Sequence, residues 1–497
     1  MPSTSNPTQP QDGLGRRAVR GASVTIAGQG GRILIQLLSV VVLARLLSPN
    51  DYGLFAMVMA VAGIAEVFRD FGLSQAAVQA KSLSEEQRDW LFWINSAIGL
   101  ALSIIVFFSS WAIAGFFGHA ELVQLSQSIA VVFLINGIAT QFRASLTRSL
   151  RFTALALIDL TSSAIGLGTA ILMGVLGFGV WALAGQLIIQ AIVVLLVSAA
   201  ACRWLPHLPR RGVPIKAFLR FGGHMVATQI ITYAGNNADT VTIGLAFGPA
   251  PLGIYNRPFQ LVMNIANQLR APITNVAIPI LSRLQEAPER FWKFARVGQS
   301  ALGYSIVPAL AIATGAALPA TDILLGREWL SSAPILAFLA ASAALQTLGY
   351  FGYWVYVAKG ITGALFQFNL VSVGIKIACL VIGAHWGVTG VAAGYFISAI
   401  VSWPLSLIWI AKTIQGVPIR MFTTAFLRMG GLATVAAGAA YMATTWTANF
   451  GSWVQILSAS GAVIVLYAAA LLIPAPRRDM RELIGVAFML RREKAQP

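Results

Sequence analysis

Residues 179–202 read GVWALAGQLIIQAIVVLLVSAAAC, without a single Asp, Glu, Lys, Arg or Pro. At about 1.5 Å rise per residue, such a run crosses the roughly 30 Å hydrocarbon core of a bilayer as one helix. It does not alternate, so it is no strand of a lipid-exposed barrel. Outward from it the pattern repeats. On the N-terminal side, apolar runs lie at 21–47, 51–71, 90–117, 121–146 and 153–176. On the C-terminal side they lie at 217–247, 252–282, 296–317, 330–357, 361–384, 388–411, 422–445 and 452–473. The expected fold is an all-α integral membrane protein with about 14 transmembrane helices.

Composition agrees. Of 497 residues, 57% are apolar, and only 34 basic and 17 acidic residues carry charge. Mean hydropathy is +0.75. A soluble domain is about a quarter charged. A water-soluble enzyme, a disordered chain and a nucleic-acid binder are therefore excluded. The net charge of +17 then reflects orientation and anionic lipid. With the N-terminus inside, Arg143, Arg148, Arg151, Arg210, Arg211, Lys216 and most other basic residues fall on the inner side. The outer loops hold essentially Arg327 alone, so both termini are expected in the cytoplasm. Cys202 and Cys379 lack zinc or redox spacing, the four histidines are scattered, and no GxxxxGK[ST] occurs. No catalytic residue, metal, cofactor or ATP-driven step is expected.

The chain also repeats itself. A shift of 200 residues lays Val19-Arg20 on Leu219-Arg220, Pro49 on Pro249, and Gly53-Leu54-Phe55 on Gly253-Ile254-Tyr255. A weaker echo links Ala184-Gly185 with Ala393-Gly394. The expected organisation is a disordered cytoplasmic tail (1–18), a six-helix N-lobe (19–210) and a pseudo-symmetric six-helix C-lobe (211–415). A trailing helix pair (416–474) and a basic amphipathic cytoplasmic tail (475–497) complete it. Each lobe begins inside, so the repeat is parallel, and a cleft between two such lobes suits alternating access.

Charge at bilayer depth costs about 2.5–3.5 kcal/mol per residue on the insertion scale, so buried charges are candidate functional groups. Gly28, Arg32, Gln36 and Ser39 share one helical face, and Thr228, Thr232, Asn236 and Asp239 take the equivalent face 200 residues on. The candidate substrate-binding cations are Arg32, Arg257, Arg270 and Lys376, with Gln36, Asn236, Asn264 and Asn267 as polar cavity residues. Asp239 and Asp159 are the candidate coupling carboxylates. An excess of cations suits an anionic substrate, because guanidinium pairs bidentately with phosphate oxygens. Structural readings stay open. Arg32 with Asp239 could form an ion pair, Arg257 and Arg270 could snorkel to water, and Glu66 with Arg69 reads as a local salt bridge.

The stretch Leu43-Ala44-Arg45-Leu46-Leu47-Ser48-Pro49-Asn50-Asp51-Tyr52-Gly53-Leu54, with Phe71-Gly72-Leu73 and Ala76-Ala77, resembles the signature of Wzx-type polysaccharide flippases. These belong to the multidrug/oligosaccharidyl-lipid/polysaccharide exporter superfamily, and the likeness is to its colanic-acid-type exporters. The resemblance implies a flippase of the bacterial cytoplasmic (inner) membrane. It would move undecaprenyl-pyrophosphate-linked oligosaccharide repeat units outward for exopolysaccharide or lipopolysaccharide O-antigen assembly. A polysaccharide polymerase and a chain-length regulator are the implied protein partners, beside membrane lipids and without nucleic acid. The alternatives are a proton- or sodium-coupled drug/cation antiporter of the same fold, or a lipid II flippase.

Overall fold

The structure, a computed structural model, describes residues 12–69, 83–208 and 233–493, with side chains over 28–69, 83–208 and 233–485. Regular structure among the described residues is helical throughout. The first half holds α1 (Asp12–Leu46), α2 (Pro49–Arg69), α3 (Glu85–Phe117), α4 (Glu121–Arg148), α5 (Phe152–Val175) and α6 (Trp181–Cys202). After α7 (233–247) come α8 (Pro249–Arg283), α9 (Pro288–Ser305), α10 (Val307–Gly315) and α11 (Ala317–Leu324). A 3₁₀ turn (Arg327–Ser332) leads to α12 (Ala333–Gly349), α13 (Phe351–Ala358), α14 (Thr362–Ala384) and α15 (Gly387–Thr413). The chain closes with α16 (Ile419–Trp446), α17 (Ser452–Ala470) and α18 (Pro474–Glu493).

Among the described residues, 11 helical stretches are long and apolar enough to cross a membrane. The chain is thus an all-helical, multi-pass membrane protein. Helix α8 falls outside those stretches because Arg257, Asn264, Asn267, Gln268 and Arg270 lower its hydropathy. The expected tail 1–18 differs from the structure, in which α1 begins at Asp12. The last proline before that point is Pro10, so no ring interrupts the helix beyond it. Positions 1–11, 71–73, Ala76, Ala77, Thr228 and Thr232 lie outside the described residues.

The chain clusters into two compact units, Met1–Leu47 with Met57–Ile230, and Ser48–Ala56 with Ile231–Pro497. The first is built on the hairpins α3–α4 and α5–α6, with α1 packed on α5. Its long helix α3 is delimited by sequence. The Ser84 hydroxyl accepts from the Gln87 amide and the Gln87 side chain accepts from the Ser84 amide, both at 3.1 Å. Gly118 ends that helix in the left-handed region at φ 74°.

The second unit takes in the Ser-Pro-Asn-Asp-Tyr-Gly stretch. Asp51 accepts from the Ser48 amide (2.9 Å) and hydroxyl (2.7 Å), while Ser48 Oγ accepts from the Asp51 amide (3.3 Å). Pro49 occupies the first turn, where its missing N–H costs nothing. The motif is therefore a helix-start device. One turn on, Gly53 lies against the Pro249 carbonyl, and Gly253 lies against the Pro49 carbonyl. The two repeat-related helix starts thus cross at backbone contact, which only a residue without Cβ permits. Tyr52 packs edge-on against the buried Trp329 (5.5 Å), and the Arg257 guanidinium sits 4.3 Å over the Tyr52 ring.

Helix α18 is tied into the same unit. Asp479 is 2% exposed, pairs with Arg428 of α16, and accepts from the Tyr304 hydroxyl at 3.1 Å. Glu482 pairs with Arg296 of α9 and with Arg478 (3.2 Å). Burial alone would raise the Glu482 carboxyl, but the hydrogen bonds and charges of Arg296 and then Arg478 hold it below the usual range.

Gly253→Ala should destabilise the fold by about 1–3 kcal/mol, read as a lower midpoint of thermal unfolding in detergent. A depressed carboxyl stabilises the docked helix above its ordinary range and stops doing so as pH falls through the folded value. Acidification should therefore speed proteolysis at α18, and Glu482→Gln should show the same sensitivity at neutral pH.

Candidate substrate cavity

Helix α8 is polar along one stripe. Phe259, Met263, Asn267 and Arg270 recur at four- and three-residue spacing and share a face, with Asn264 at its edge. Three internal prolines, Pro258, Pro272 and Pro279, each remove one helical N–H, so the helix is not a uniform rod. The stripe faces α12, α14 and α15 across a cavity of about 550 Å³ within the second unit. This volume lies within the usual range of small-molecule sites.

Arg270 is 4% exposed and two of its donors are taken up by one face of α12. Its Nε donates to Thr347 Oγ1 (3.0 Å), its Nη2 donates to the Ala343 carbonyl (3.1 Å), and its guanidinium carbon lies 5.3 Å from the Tyr350 ring centre. Thr274, one turn beyond Arg270, accepts from the Trp354 indole N–H at 3.1 Å. The guanidinium is thereby held at the cavity wall instead of reaching for water.

Lys376 enters from α14, on the face that also presents Asn369 and Ser372. Its ammonium lies 5.4 Å from the Tyr395 ring centre and within electrostatic reach of Asp239. Gly235 of α7 lies against Val373, which sets α7 beside this face of α14. Asp239 is 1% exposed. It accepts from the Tyr255 hydroxyl (2.8 Å) and the Thr240 amide (2.9 Å). Tyr255 stacks on Phe259 (5.8 Å), whose edge meets Tyr395 (5.6 Å). Asp239 is thus linked through packed rings to the wall that carries Lys376.

Of the residues singled out in the sequence, Asn236, Asn264, Asn267, Arg270 and Lys376 line this one cavity; Asp239 is not in the lining and reaches it only through Tyr255, which stacks on the lining residue Phe259. Arg257 is placed elsewhere, against Tyr52. Arg32, Gln36 and Asp159 belong to the first unit. There Asp159 pairs with Arg143 at 2.7 Å, and Arg69 bridges to Glu66 at 2.7 Å.

Sequence reading passed over Gln346, Tyr350, Asn369, Tyr395 and the serines Ser398, Ser402 and Ser406. A signal was available. Tyr395, Ser398, Ser402 and Ser406 fall at i, i+3, i+7 and i+11, a polar stripe on an otherwise apolar helix. The α12–α13 junction gave no such periodicity. There Gly349 lets Trp403 approach, because a Cβ at that position would meet the indole at 3.0 Å.

The lining carries two cations and no carboxylate among the described residues, together with amides, hydroxyls and ring faces. Such a wall can hold an anionic, hydroxyl-rich molecule.

A family model described as a polysaccharide biosynthesis protein matches residues 42–334. The lipopolysaccharide biosynthesis protein WzxC of Escherichia coli (strain K12) is 25% identical over 408 residues, which is 81% of each chain. The teichuronic acid biosynthesis protein TuaB of Bacillus subtilis (strain 168) is 27% identical over 61% of this chain and 64% of its own. Among solved structures, the lipid II flippase MurJ in an inward closed conformation matches with a TM-score of 0.68. That match has 16% identity and covers 90% of this chain and 99% of MurJ. An inward-facing multidrug resistance MATE family transporter of the MOP superfamily gives 0.60 at 18% identity, over 79% and 96%. At these identities the structural matches establish the fold.

Tyr255→Phe removes the side-chain donor to Asp239. We expect a loss of about 1.5–3 kcal/mol, seen as a lower unfolding midpoint in detergent.

Proposed function

Because the chain belongs to the polysaccharide biosynthesis protein family, we propose that it flips undecaprenyl-pyrophosphate-linked oligosaccharide repeat units outward across the cytoplasmic membrane. The family makes it a membrane transporter of polysaccharide biosynthesis and not an enzyme. The observation that carries the finer reading is the charge of the cavity, with Arg270 and Lys376 at the wall and no carboxylate among its described lining residues. An anionic cargo offsets two cations in a low dielectric, whereas a cationic drug would meet repulsion. This favours the flippase over an antiporter of the same fold.

In this reading the chain crosses the membrane about 14 times, as two six-helix lobes (19–210 and 211–415) and a trailing pair, with both termini in the cytoplasm. Alternating access presents the cargo first to the inner and then to the outer leaflet. Arg270 and Lys376 hold its anionic part, while Asn236, Asn264 and Asn267 offer hydrogen bonds to the rest. Arg32, Gln36 and Arg257 are further candidates for cargo contact. Asp239 is the coupling carboxylate, supported by its burial, its Tyr255 bond and its electrostatic link to Lys376. Asp159, paired with Arg143, is the second candidate. A polymerase and a chain-length regulator would act on the delivered units.

Deleting the gene with the sugar transferases intact should leave a complete oligosaccharide-pyrophosphate-lipid on the inner membrane face. Mass spectrometry combined with a leaflet-accessibility assay reads this directly, and unchanged lipid-linked pools would overturn the reading. In proteoliposomes, Arg270→Ala should cut the flipping rate at least about tenfold, which corresponds to about 1.4 kcal/mol. Collapse of the pH and ion gradients should stop net transport, and an unchanged rate would remove Asp239 from its coupling role.

A further inference from the structure

A second cavity of the second unit has the opposite chemistry. It holds about 270 Å³ between α9, α10, α17 and α18, and Ile312, Ile464, Ala468, Leu471, Pro476 and Met480 line most of it. The polar side-chain groups of its described lining are the hydroxyls of Tyr304 and Tyr467, and Tyr304 already donates to Asp479. A sugar or an inorganic ion would find too few partners there. An alkyl chain needs none.

The cavity is open to the side. Ile464 and Leu471 belong to its lining and are 67% and 37% exposed. They stand seven residues apart on one face of α17, which is long and apolar enough to span a bilayer. The opening therefore faces lipid. Helix α17 ends at Ala470, and after the exposed Leu471, Leu472 and Ile473 the chain enters α18. Helix α18 thus begins where a spanning helix leaves the hydrocarbon, at the depth of lipid headgroups.

The charge of α18 is divided by face. Pro476 and Met480, four residues apart, turn one edge to the cavity. Arg477 and Arg481, also four apart, stand about 100° further round the same turns. Both are exposed, and no ion pair among the described residues engages either. The two described carboxylates of the helix are already matched, Asp479 by Arg428 and Glu482 by Arg296 and Arg478. Those pairs fix the rotation of α18, and with it the edge on which the two unmatched arginines stand.

An apolar slot open to lipid, adjoined at headgroup depth by two uncompensated guanidinium groups, matches an amphiphile with a negative head. Guanidinium pairs bidentately with phosphate oxygens. We infer that this is a binding site for one anionic phospholipid of the surrounding membrane. An acyl chain lies in the cavity, Arg477 and Arg481 hold the phosphate, and the bound lipid fastens α18 to α17. The site shares no lining residue with the polar cavity, and the inference is independent of what that cavity carries.

The test uses the full-length chain in dodecyl maltoside micelles, with native mass spectrometry and thermal unfolding as readouts. Phosphatidylglycerol should stay bound and raise the unfolding midpoint. Phosphatidylcholine should bind at least about tenfold more weakly, as two surface cations imply. Arg477→Gln with Arg481→Gln should lower phosphatidylglycerol binding to the phosphatidylcholine level and leave the lipid-free midpoint unchanged. The charge-matched control, Arg290→Gln with Lys293→Gln on α9, removes two exposed cations and should bind phosphatidylglycerol as wild type does. Ile464→Trp, at the exposed mouth, should block the slot and weaken phosphatidylglycerol binding with both arginines present. Equal binding of the two lipids would overturn the inference, and so would the same loss in the control pair. Soluble glycerol phosphate binding as tightly as phosphatidylglycerol would show that the slot is not used. Preferential displacement of phosphatidylglycerol by undecaprenyl phosphate would assign the site to the cargo and overturn it as well. None of these outcomes alters the lipid-linked pools on which the flippase reading is judged.

Discussion

The placement of α8 depends on one close crossing. Gly53 and Gly253 each lie against the proline carbonyl that opens the other's helix, so the two helix starts touch backbone to backbone. No side chain fits there, and the phase of α8 about its axis is set at its first turn. Tyr52 reinforces that phase by holding Arg257 on one side and Trp329 on another. From that start the 3.6-residue period carries Phe259, Asn264, Asn267 and Arg270 onto the cavity face. A rotation at the crossing would turn all of them away together.

The cavity itself obeys the rule that a polar group out of water needs a partner within the protein. Arg270 meets this requirement by spending two of its donors on α12, which fixes its position and leaves its charge near the cavity. Asp239 meets it through Tyr255 and a backbone amide. Lys376 is placed differently, beside an aromatic face and in reach of the Asp239 charge. The wall therefore combines one cation locked by hydrogen bonds with one held by softer electrostatics.

Elsewhere in the unit, α18 is bound by charges buried against helices α9 and α16. Asp479 is nearly inaccessible, while Arg477, Arg478 and Arg481 on the same helix stay exposed. One face of the helix is spent on the bundle and the other keeps its positive charge.

The all-helical, membrane-spanning class followed from sequence alone, since apolar runs near 20 residues with so few charges admit no other solution in a bilayer. The Ser48–Asp51 stretch stood out in the sequence only as part of a family signature, and its capping bonds came from the structure; the shift of 200 residues already paired the prolines and glycines that meet at the crossing. Buried charge likewise marked Arg270, Lys376 and Asp239, because such residues are rare and costly at that depth. Only the tertiary structure decided that Arg270 and Lys376 share a cavity while Arg257, thirteen residues before Arg270, lies against Tyr52. It also decided that Asp159 is taken up by Arg143. Position along a helix states which face a residue occupies, but not which helix that face meets. The meeting is set by packing between segments distant in the chain, and a hydropathy pattern carries no record of it.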